Sequence, residues 1–92
     1  MTEVLVAGAA GRMGKRVLEM VHQHPDTTLA GAFEQPGHPA VNQDAGQVAG
    51  LGDLGVTIAG SLEEVIERGE VLIDFTAPEA SLAHLRIVAV RG

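Results

Sequence analysis

The apolar positions in the first third of the chain predict a strand, a helix and a second strand. Residues 4–7 form a short, continuous apolar run, which is typical of a strand buried on both faces. From Met13 onward apolar residues recur at helical spacing, until Pro25 stops the helix. Residues 28–33 predict a second strand, which should run parallel to the first because a helix lies between them.

The middle of the chain predicts a surface excursion followed by a strand and a helix. Residues 34–55 are rich in Gly, Pro, Gln, Asn and Asp, and we expect them to lie on the surface with one helical turn near 44–48. Residues 56–59 predict a third strand. The capping-box spacing of residues 61–64 then predicts a helix that runs to about Arg68.

The last third predicts a fourth strand at residues 71–75 and a final helix from Glu79 to about Arg91. A second capping-box spacing, at residues 76–79, supports that helix. With right-handed crossovers, the element order gives a Rossmann-type, doubly wound parallel α/β sheet. We expect about four strands in the order 3-2-1-4, truncated before a fifth. The fourth strand would then be an exposed apolar edge, so the chain is expected to self-associate through that strand or the last helix.

A glycine loop joins the predicted first strand to the first helix. Its residues are Gly8, Ala9, Ala10, Gly11, Arg12, Met13 and Gly14. This GxxGxxG spacing is related to the GxGxxG dinucleotide fingerprint. Gly8 allows a tight turn, Gly11 leaves room for a pyrophosphate to approach the backbone, and Gly14 allows the helix to pack closely on the strand. The N–H groups of the helix start would then face an anion. The alternative is that the glycines serve only the turn.

Two charged residues strengthen this interpretation. Glu34 follows Gly14 by 20 residues, at the end of the second strand, where a carboxylate accepts hydrogen bonds from the adenosine ribose hydroxyls. Arg12 lies in the first turn of a helix whose start favours anions, and could reach a 2′-phosphate or stack on adenine. A solvated loop acid and an exposed arginine without a ligand are the respective alternatives.

Composition and charge narrow the classes of function. Apolar residues make up 46% of the 92 residues and aromatic residues 2%, so the core must be aliphatic, as suits one dinucleotide-binding domain over residues 1–92. The net charge of −6 disfavours nucleic acid as a partner. No cysteine is present, and the four histidines have no metal-binding spacing, so no metal site is predicted. No stretch approaches the roughly 20 apolar residues of a membrane span. These features fit a cytoplasmic location.

Four segments, in this order along the chain, point to one family. They are residues 6–14 (Val-Ala-Gly-Ala-Ala-Gly-Arg-Met-Gly), 43–46 (Gln-Asp-Ala-Gly), 54–56 (Leu-Gly-Val) and 72–79 (Leu-Ile-Asp-Phe-Thr-Ala-Pro-Glu). Together they resemble the bacterial 4-hydroxy-tetrahydrodipicolinate reductases, also called dihydrodipicolinate reductases. The resemblance covers the whole chain. It implies an enzyme of the diaminopimelate route to lysine that passes hydride from NADH or NADPH to the cyclic dihydrodipicolinate precursor.

The resemblance also assigns expected roles to residues. It implies that Gly8 through Met13 hold the pyrophosphate, that Glu34 binds the adenosine ribose, and that Phe75 and Thr76 line the nicotinamide end. From its position alone, Phe75 could equally fill the core. Family members that use NADPH well commonly carry arginine just after the acid, where this chain has Gln35.

No catalytic residue is predicted within these 92 residues. The family's fifth-strand Gly-Thr-Thr-Gly loop and its substrate domain, with a catalytic histidine and lysine, have no counterpart in the chain. We therefore expect the chain alone to be inactive, although the parent family is enzymatic and homo-oligomeric. A stand-alone nucleotide-binding or interaction module is the alternative. A different Rossmann oxidoreductase, such as a semialdehyde dehydrogenase, conflicts with the missing nucleophilic cysteine.

Overall fold

A mixed five-stranded sheet is the centre of the computed structural model, which describes residues 2–76 and 84–90. Its strands are β1 (Thr2–Ala7), β2 (Thr27–Phe33), β3 (Ile58–Ala59), β4 (Val71–Thr76) and β5 (His84–Ala89), in the order β3-β2-β1-β4-β5. The first four pair in parallel, and β5 pairs antiparallel with β4. The helices are α1 (Arg12–Gln23), α2 (Ala45–Val48) and a 3-10 helix (Ile66–Arg68). The predicted Rossmann-type order 3-2-1-4 is confirmed, with a fifth strand added beyond β4.

The central strand β1 is buried on both faces, as its apolar run predicts. Val4 and Val6 belong to one core cluster with the inward side of α1, and Leu5 and Ala7 belong to a second cluster on the opposite face. Each fully buried Val or Leu side chain contributes about 1.5–3 kcal/mol to folding. The two clusters therefore hold α1 and the segment between β3 and β4 on opposite faces of the sheet.

Leu5 has two glycines as close neighbours. A Cβ built on Gly31 would lie 2.8 Å from Leu5 Cδ2, and one built on Gly69 would lie 2.6 Å from Leu5 Cγ. Side chains at these two positions would displace Leu5, which is fully buried. Gly31 also follows a register shift between β1 and β2. Val4 pairs with Leu29 and Leu5 with Gly31, so β2 has one extra residue at this point. The absence of two Cβ atoms thus makes room for the largest buried side chain of the central strand.

The prediction of a last helix is wrong over residues 84–89, which form β5. Every residue of β4 from Val71 to Thr76 pairs with a residue of β5. The β-branched side chains of Ile87, Val88 and Val90 favour an extended backbone, and the edge of β4 offers it hydrogen-bonding partners. The capping-box residues 77–79 and the start of the predicted helix lie outside the described residues.

The same pairing corrects the prediction about the fourth strand. β4 lies between β1 and β5, so it is not the exposed edge through which we expected self-association. The predicted order of the first four strands is confirmed, but the outer edge of β4 pairs with β5, whose residues the sequence predicts as a helix. The expected self-association therefore loses the structural basis given for it.

The helix predicted from residue 61 to Arg68 is also wrong, because only one turn and the short 3-10 helix form. The Leu62 carbonyl accepts from the N–H groups of Val65 and Ile66 at 3.0 and 2.8 Å. Glu64 caps this turn through the N–H of Gly60, at 2.9 Å, one residue earlier than the predicted box. Val65 is the only buried side chain between residues 61 and 68, and so little packing cannot stabilise a longer helix.

The predicted excursion contains the expected helical turn, α2, and is organised by Asp44, a residue whose role the sequence did not suggest. We call residues 44–56 the Asp44 loop. Oδ1 of Asp44 accepts from the N–H groups of Gly46, Gln47 and Leu54, at 2.8, 3.2 and 3.0 Å. Oδ2 accepts from Gly55 and Val56, at 2.8 and 3.2 Å. The hydrogen bond from the Leu54 N–H is the largest cause that lowers the pKa of the Asp44 carboxyl; desolvation, the next largest, opposes it, and the bonds from Gln47, Gly46 and Gly55 lower the pKa further.

Candidate functional site

The predicted site residues come from three elements that end at one edge of the sheet. The glycine loop follows β1, Glu34 and Gln35 follow β2, and Phe75 and Thr76 end β4. Ala7 pairs with Phe33 and Val6 with Ile73, all in parallel, so these strand ends lie side by side. In open α/β sheets, this carboxyl edge is where ligands bind. The structure thus brings the backbones of all three groups of predicted residues to one edge.

The glycine loop makes a tight turn that starts at a left-handed residue. Gly8 has a φ of +63°, which L-residues with side chains rarely adopt. The N–H of Gly11 donates to the Gly8 carbonyl at 3.1 Å, and the N–H of Ala9 donates across to Phe33 at 3.3 Å. The Lys15 N–H then bonds the Gly11 carbonyl at 2.9 Å, which begins α1.

Gly14 is where the helix approaches the strand most closely. A Cβ at Gly14 would overlap the Gly8 carbonyl oxygen and lie 2.8 Å from the Gly8 carbonyl carbon, which is rigid backbone. The predicted packing role of Gly14 therefore matches the geometry. Gly11 differs, because a Cβ there would meet only the Gly8 oxygen, at 3.4 Å. The fold itself thus has room for a small side chain at Gly11.

Within the described residues, no side chain caps the backbone N–H groups at the start of α1. Gly11 occupies the N-cap position, and the first turn, all of which the structure describes, contains no acid. A helix start carries partial positive charge and binds anions in this situation. Arg12, exposed at the first helical position, adds a full positive charge. These features fit the pyrophosphate of a dinucleotide.

Glu34 reaches back to the glycine loop. Its Oε2 accepts a hydrogen bond from the Ala10 N–H at 2.7 Å, although the two residues are 24 apart in sequence. The Glu34 N–H donates to the Ala59 carbonyl at 2.9 Å, so its backbone is held by the neighbouring strand. Glu34 is half-buried, whereas Gln35 is exposed. The spacing predicted that Glu34 would lie at this edge but did not predict its bond to the loop.

Two surface clefts among the described residues lie away from the glycine loop. Their linings include no residue of the loop. One, of about 300 Å³, lies between the end of α1, the start of β2 and the Asp44 loop. The other, of about 350 Å³, is bordered by Asn42, Ala59 and Arg68. Because the Ala59 carbonyl bonds Glu34, the second cleft is adjacent to the predicted ribose position.

Residues 2–76 and 84–90 contain neither a candidate metal site nor a membrane-spanning helix. No group of three or more His, Cys, Asp and Glu side chains there is placed to hold a metal ion. No helix in the same residues has the length and apolar character required to cross a bilayer.

Comparison with known proteins points to one family. The family described as "Dihydrodipicolinate reductase, N-terminus" matches residues 2–92. A 4-hydroxy-tetrahydrodipicolinate reductase of Citrifermentans bemidjiense is 49% identical over 92 residues, which are 100% of this chain and 34% of that protein. One of Pelobacter propionicus is 52% identical over 85 residues, 92% of this chain and 32% of that protein. The chain spans about a third of the length of the curated relatives it matches.

Proposed function

This chain belongs to the family of dihydrodipicolinate reductase N-terminal domains, and on that premise we propose that it is the cofactor-binding part of an NAD(P)H-dependent 4-hydroxy-tetrahydrodipicolinate reductase. The chain would act as part of a whole reductase, the enzyme for which its relatives are named. That enzyme would belong to the diaminopimelate route to lysine. The observation that carries the proposal is the glycine loop itself: Gly14 lies against the Gly8 backbone, and Glu34 bonds Ala10 within the same loop.

The site residues have distinct proposed roles. The first-turn N–H groups of Arg12, Met13 and Gly14 receive the pyrophosphate, and the turn from Gly8 to Gly11 lets it approach the backbone. Glu34 accepts hydrogen bonds from the adenosine ribose hydroxyls. When bound, the dinucleotide supplies the hydride.

Two backbone positions at the end of β4 complete the proposed site. Phe75 and Thr76 lie beside the glycine loop along the sheet edge, and we assign them to the nicotinamide end. This assignment rests on the parallel pairing of β1 with β4 and on the likeness to the family.

The preference between the two cofactors follows from charge. A 2′-phosphate next to Glu34 would meet a like charge, worth up to about 4 kcal/mol for unit charges about 4 Å apart at an effective dielectric near 20, and solvent at this half-buried residue reduces that value. Gln35 supplies no compensating charge, whereas Arg12 does. We propose that NADH is favoured or that the two cofactors bind nearly equally.

Hydride transfer is proposed to need residues beyond these 92. Transfer requires the nicotinamide to be held against a substrate, and none of the residues assigned here would hold that substrate. An assay of the purified chain with the dihydrodipicolinate precursor and NADH should therefore show no turnover. Measurable turnover would show that these residues suffice for catalysis.

The test of cofactor binding is a titration of the chain with NADH, NADPH and AMP, followed by NMR or calorimetry. The original chain should bind weakly through the adenosine half. Gly11→Val should abolish binding, because its side chain would fill the space that the pyrophosphate needs, whereas its Cβ would meet only the Gly8 oxygen of the fold, at 3.4 Å. Gly60→Ala is the matched control, since its Cβ would meet its nearest neighbour at an ordinary 3.8 Å. If Gly11→Val binds as well as the original, the loop assignment is wrong.

A further inference from the structure

The contact between Glu34 and Ala10 gives the acid a second task. Reading the ribose requires only that a carboxylate lie near the end of β2. Here one of its oxygens, Oε2, is already engaged with the loop, at 2.7 Å from the Ala10 nitrogen. The other oxygen, Oε1, remains for a ligand. We propose that Glu34 is a positioning residue of the glycine loop as well as the ribose ligand. It fixes the loop by accepting the hydrogen bond from the Ala10 N–H. This inference rests on the proposed dinucleotide site.

The loop amides show why this bond matters. Three consecutive N–H groups are directed into the protein: Ala9 bonds Phe33, Ala10 bonds Glu34, and Gly11 bonds Gly8. Of these three bonds, only the one from Ala10 depends on a side chain. Without it, the Ala10 amide would need another acceptor, and the peptide between Ala9 and Ala10 could turn.

The consequence concerns the anion site one residue further on. Gly11 is the N-cap of α1, so the orientation of the Ala10 peptide decides where the first-turn N–H groups point. The backbone of Glu34 is itself anchored, through its N–H, to the Ala59 carbonyl at 2.9 Å. A rigid sheet edge therefore holds the loop in its binding shape before a ligand arrives, which reduces the entropy lost on binding.

Two effects of Glu34 on an anion oppose each other, and they can be separated. Its charge repels a pyrophosphate, while its hydrogen bond prepares the loop. Glu34→Gln removes the charge but keeps an acceptor oxygen for Ala10, whereas Glu34→Ala removes both. Glu64→Ala is the matched control, because Glu64 also bonds a backbone N–H, that of Gly60, but lies outside the glycine loop.

The test uses inorganic pyrophosphate, which has no ribose, with ADP as a second ligand. Binding to the original chain, Glu34→Gln, Glu34→Ala and Glu64→Ala is followed by NMR titration. We expect Glu34→Ala to bind pyrophosphate about tenfold more weakly than Glu34→Gln, the equivalent of one intramolecular hydrogen bond. Glu34→Gln and Glu64→Ala should bind at least as well as the original chain. Because both Glu34 variants lack the charge, equal binding by Glu34→Ala and Glu34→Gln would refute a role for the hydrogen bond and would show that Glu34 only reads the ribose.

A ligand-free measurement separates this inference from the proposed function. Hydrogen exchange of the Ala10 amide should be about tenfold faster in Glu34→Ala than in the original chain and unchanged in Glu34→Gln. Unchanged exchange in Glu34→Ala would overturn the positioning role whatever the chain binds. If the original chain binds neither NADH nor ADP but the exchange behaves as expected, the proposed function fails and the loop contact stands.

Discussion

The glycine loop and the Asp44 loop both contain a cluster of backbone N–H groups, but they differ in what receives them. In the Asp44 loop, five N–H groups bond the two oxygens of a single carboxylate from the same loop. In the glycine loop, a carboxylate from another strand receives only the Ala10 N–H, and the first turn of α1 has no acid and no side-chain cap among the described residues.

The difference separates a structural loop from a proposed binding loop. An internal carboxylate satisfies the amides permanently, and a ligand anion would have to displace it. A helix start without such an acid has the same need for an anion, which the proposed pyrophosphate would meet. The same backbone chemistry thus serves stability where the chain supplies the anion and binding where a ligand supplies it.

The largest loss of stability is expected from adding a Cβ at the buried glycine of each loop, Gly14 in the glycine loop and Gly46 in the Asp44 loop. Gly46 resembles Gly14, because a Cβ there would overlap the Gly52 carbonyl oxygen and lie 2.5 Å from Leu54 Cγ. We expect Gly14→Ala and Gly46→Ala each to reduce the free energy of unfolding by roughly 1–3 kcal/mol, measured by urea denaturation. Only Gly14→Ala should also lose NADH binding in the folded protein. Loss of binding in both variants would mean that the two loops are not separate in function.

A smaller loss of stability is expected from Asp44→Asn. The asparagine amide keeps one acceptor oxygen, but its NH₂ group replaces Oδ2. That NH₂ group would face the N–H groups of Gly55 and Val56, whose hydrogen bonds Oδ2 accepts. The midpoint of thermal unfolding should fall, and the amides of Gly55 and Val56 should exchange faster. Asp53→Asn, at an exposed position of the same loop, is the control. NADH binding by the folded Asp44→Asn protein should persist, and its disappearance would contradict the separation of the two loops.

The positive charge at the glycine loop is expected to have a moderate effect on affinity. Arg12→Ala should weaken NADH binding about two- to fivefold, which corresponds to the loss of one exposed ion pair with the pyrophosphate. NADPH should lose more than NADH if Arg12 compensates for the charge of Glu34. Arg16→Ala is the matched control, an exposed arginine one turn further along α1. A clear preference of the original chain for NADPH at low salt would show that Arg12 outweighs Glu34.

The smallest effect expected is a dependence of stability on acid pH. Since folding lowers the pKa of Asp44, its contribution is fully present above the unfolded value of about 3.9 and is lost as the pH falls through the folded value. The difference in unfolding midpoint between the original chain and Asp44→Asn should therefore narrow below about pH 4. A difference that stays constant down to pH 2 would show that the charge of Asp44 does not stabilise the loop.

Local sequence patterns were sufficient for the elements around the site. The apolar run before Gly8 and the helical spacing after Met13 predicted β1 and α1, and the composition of the excursion predicted the turn at α2. The glycine spacing and the distance to Glu34 placed these residues at one sheet edge. These predictions succeed because strand and helix periods, turn glycines and strand ends are properties of neighbouring residues.

What the tertiary structure decided were partners far apart in the chain. The apolar positions of residues 84–89 fit both a helix and a strand, and the free edge of β4 selected the strand. Asp44 bonds residues up to 12 positions away, and Glu34 bonds Ala10 across 24. The sequence by itself therefore determined which elements surround the candidate site and which residues lie at its edge of the sheet. Only the register of β1 against β2 brought the Glu34 carboxylate to the Ala10 N–H, because a contact between strands depends on their pairing and not on local spacing.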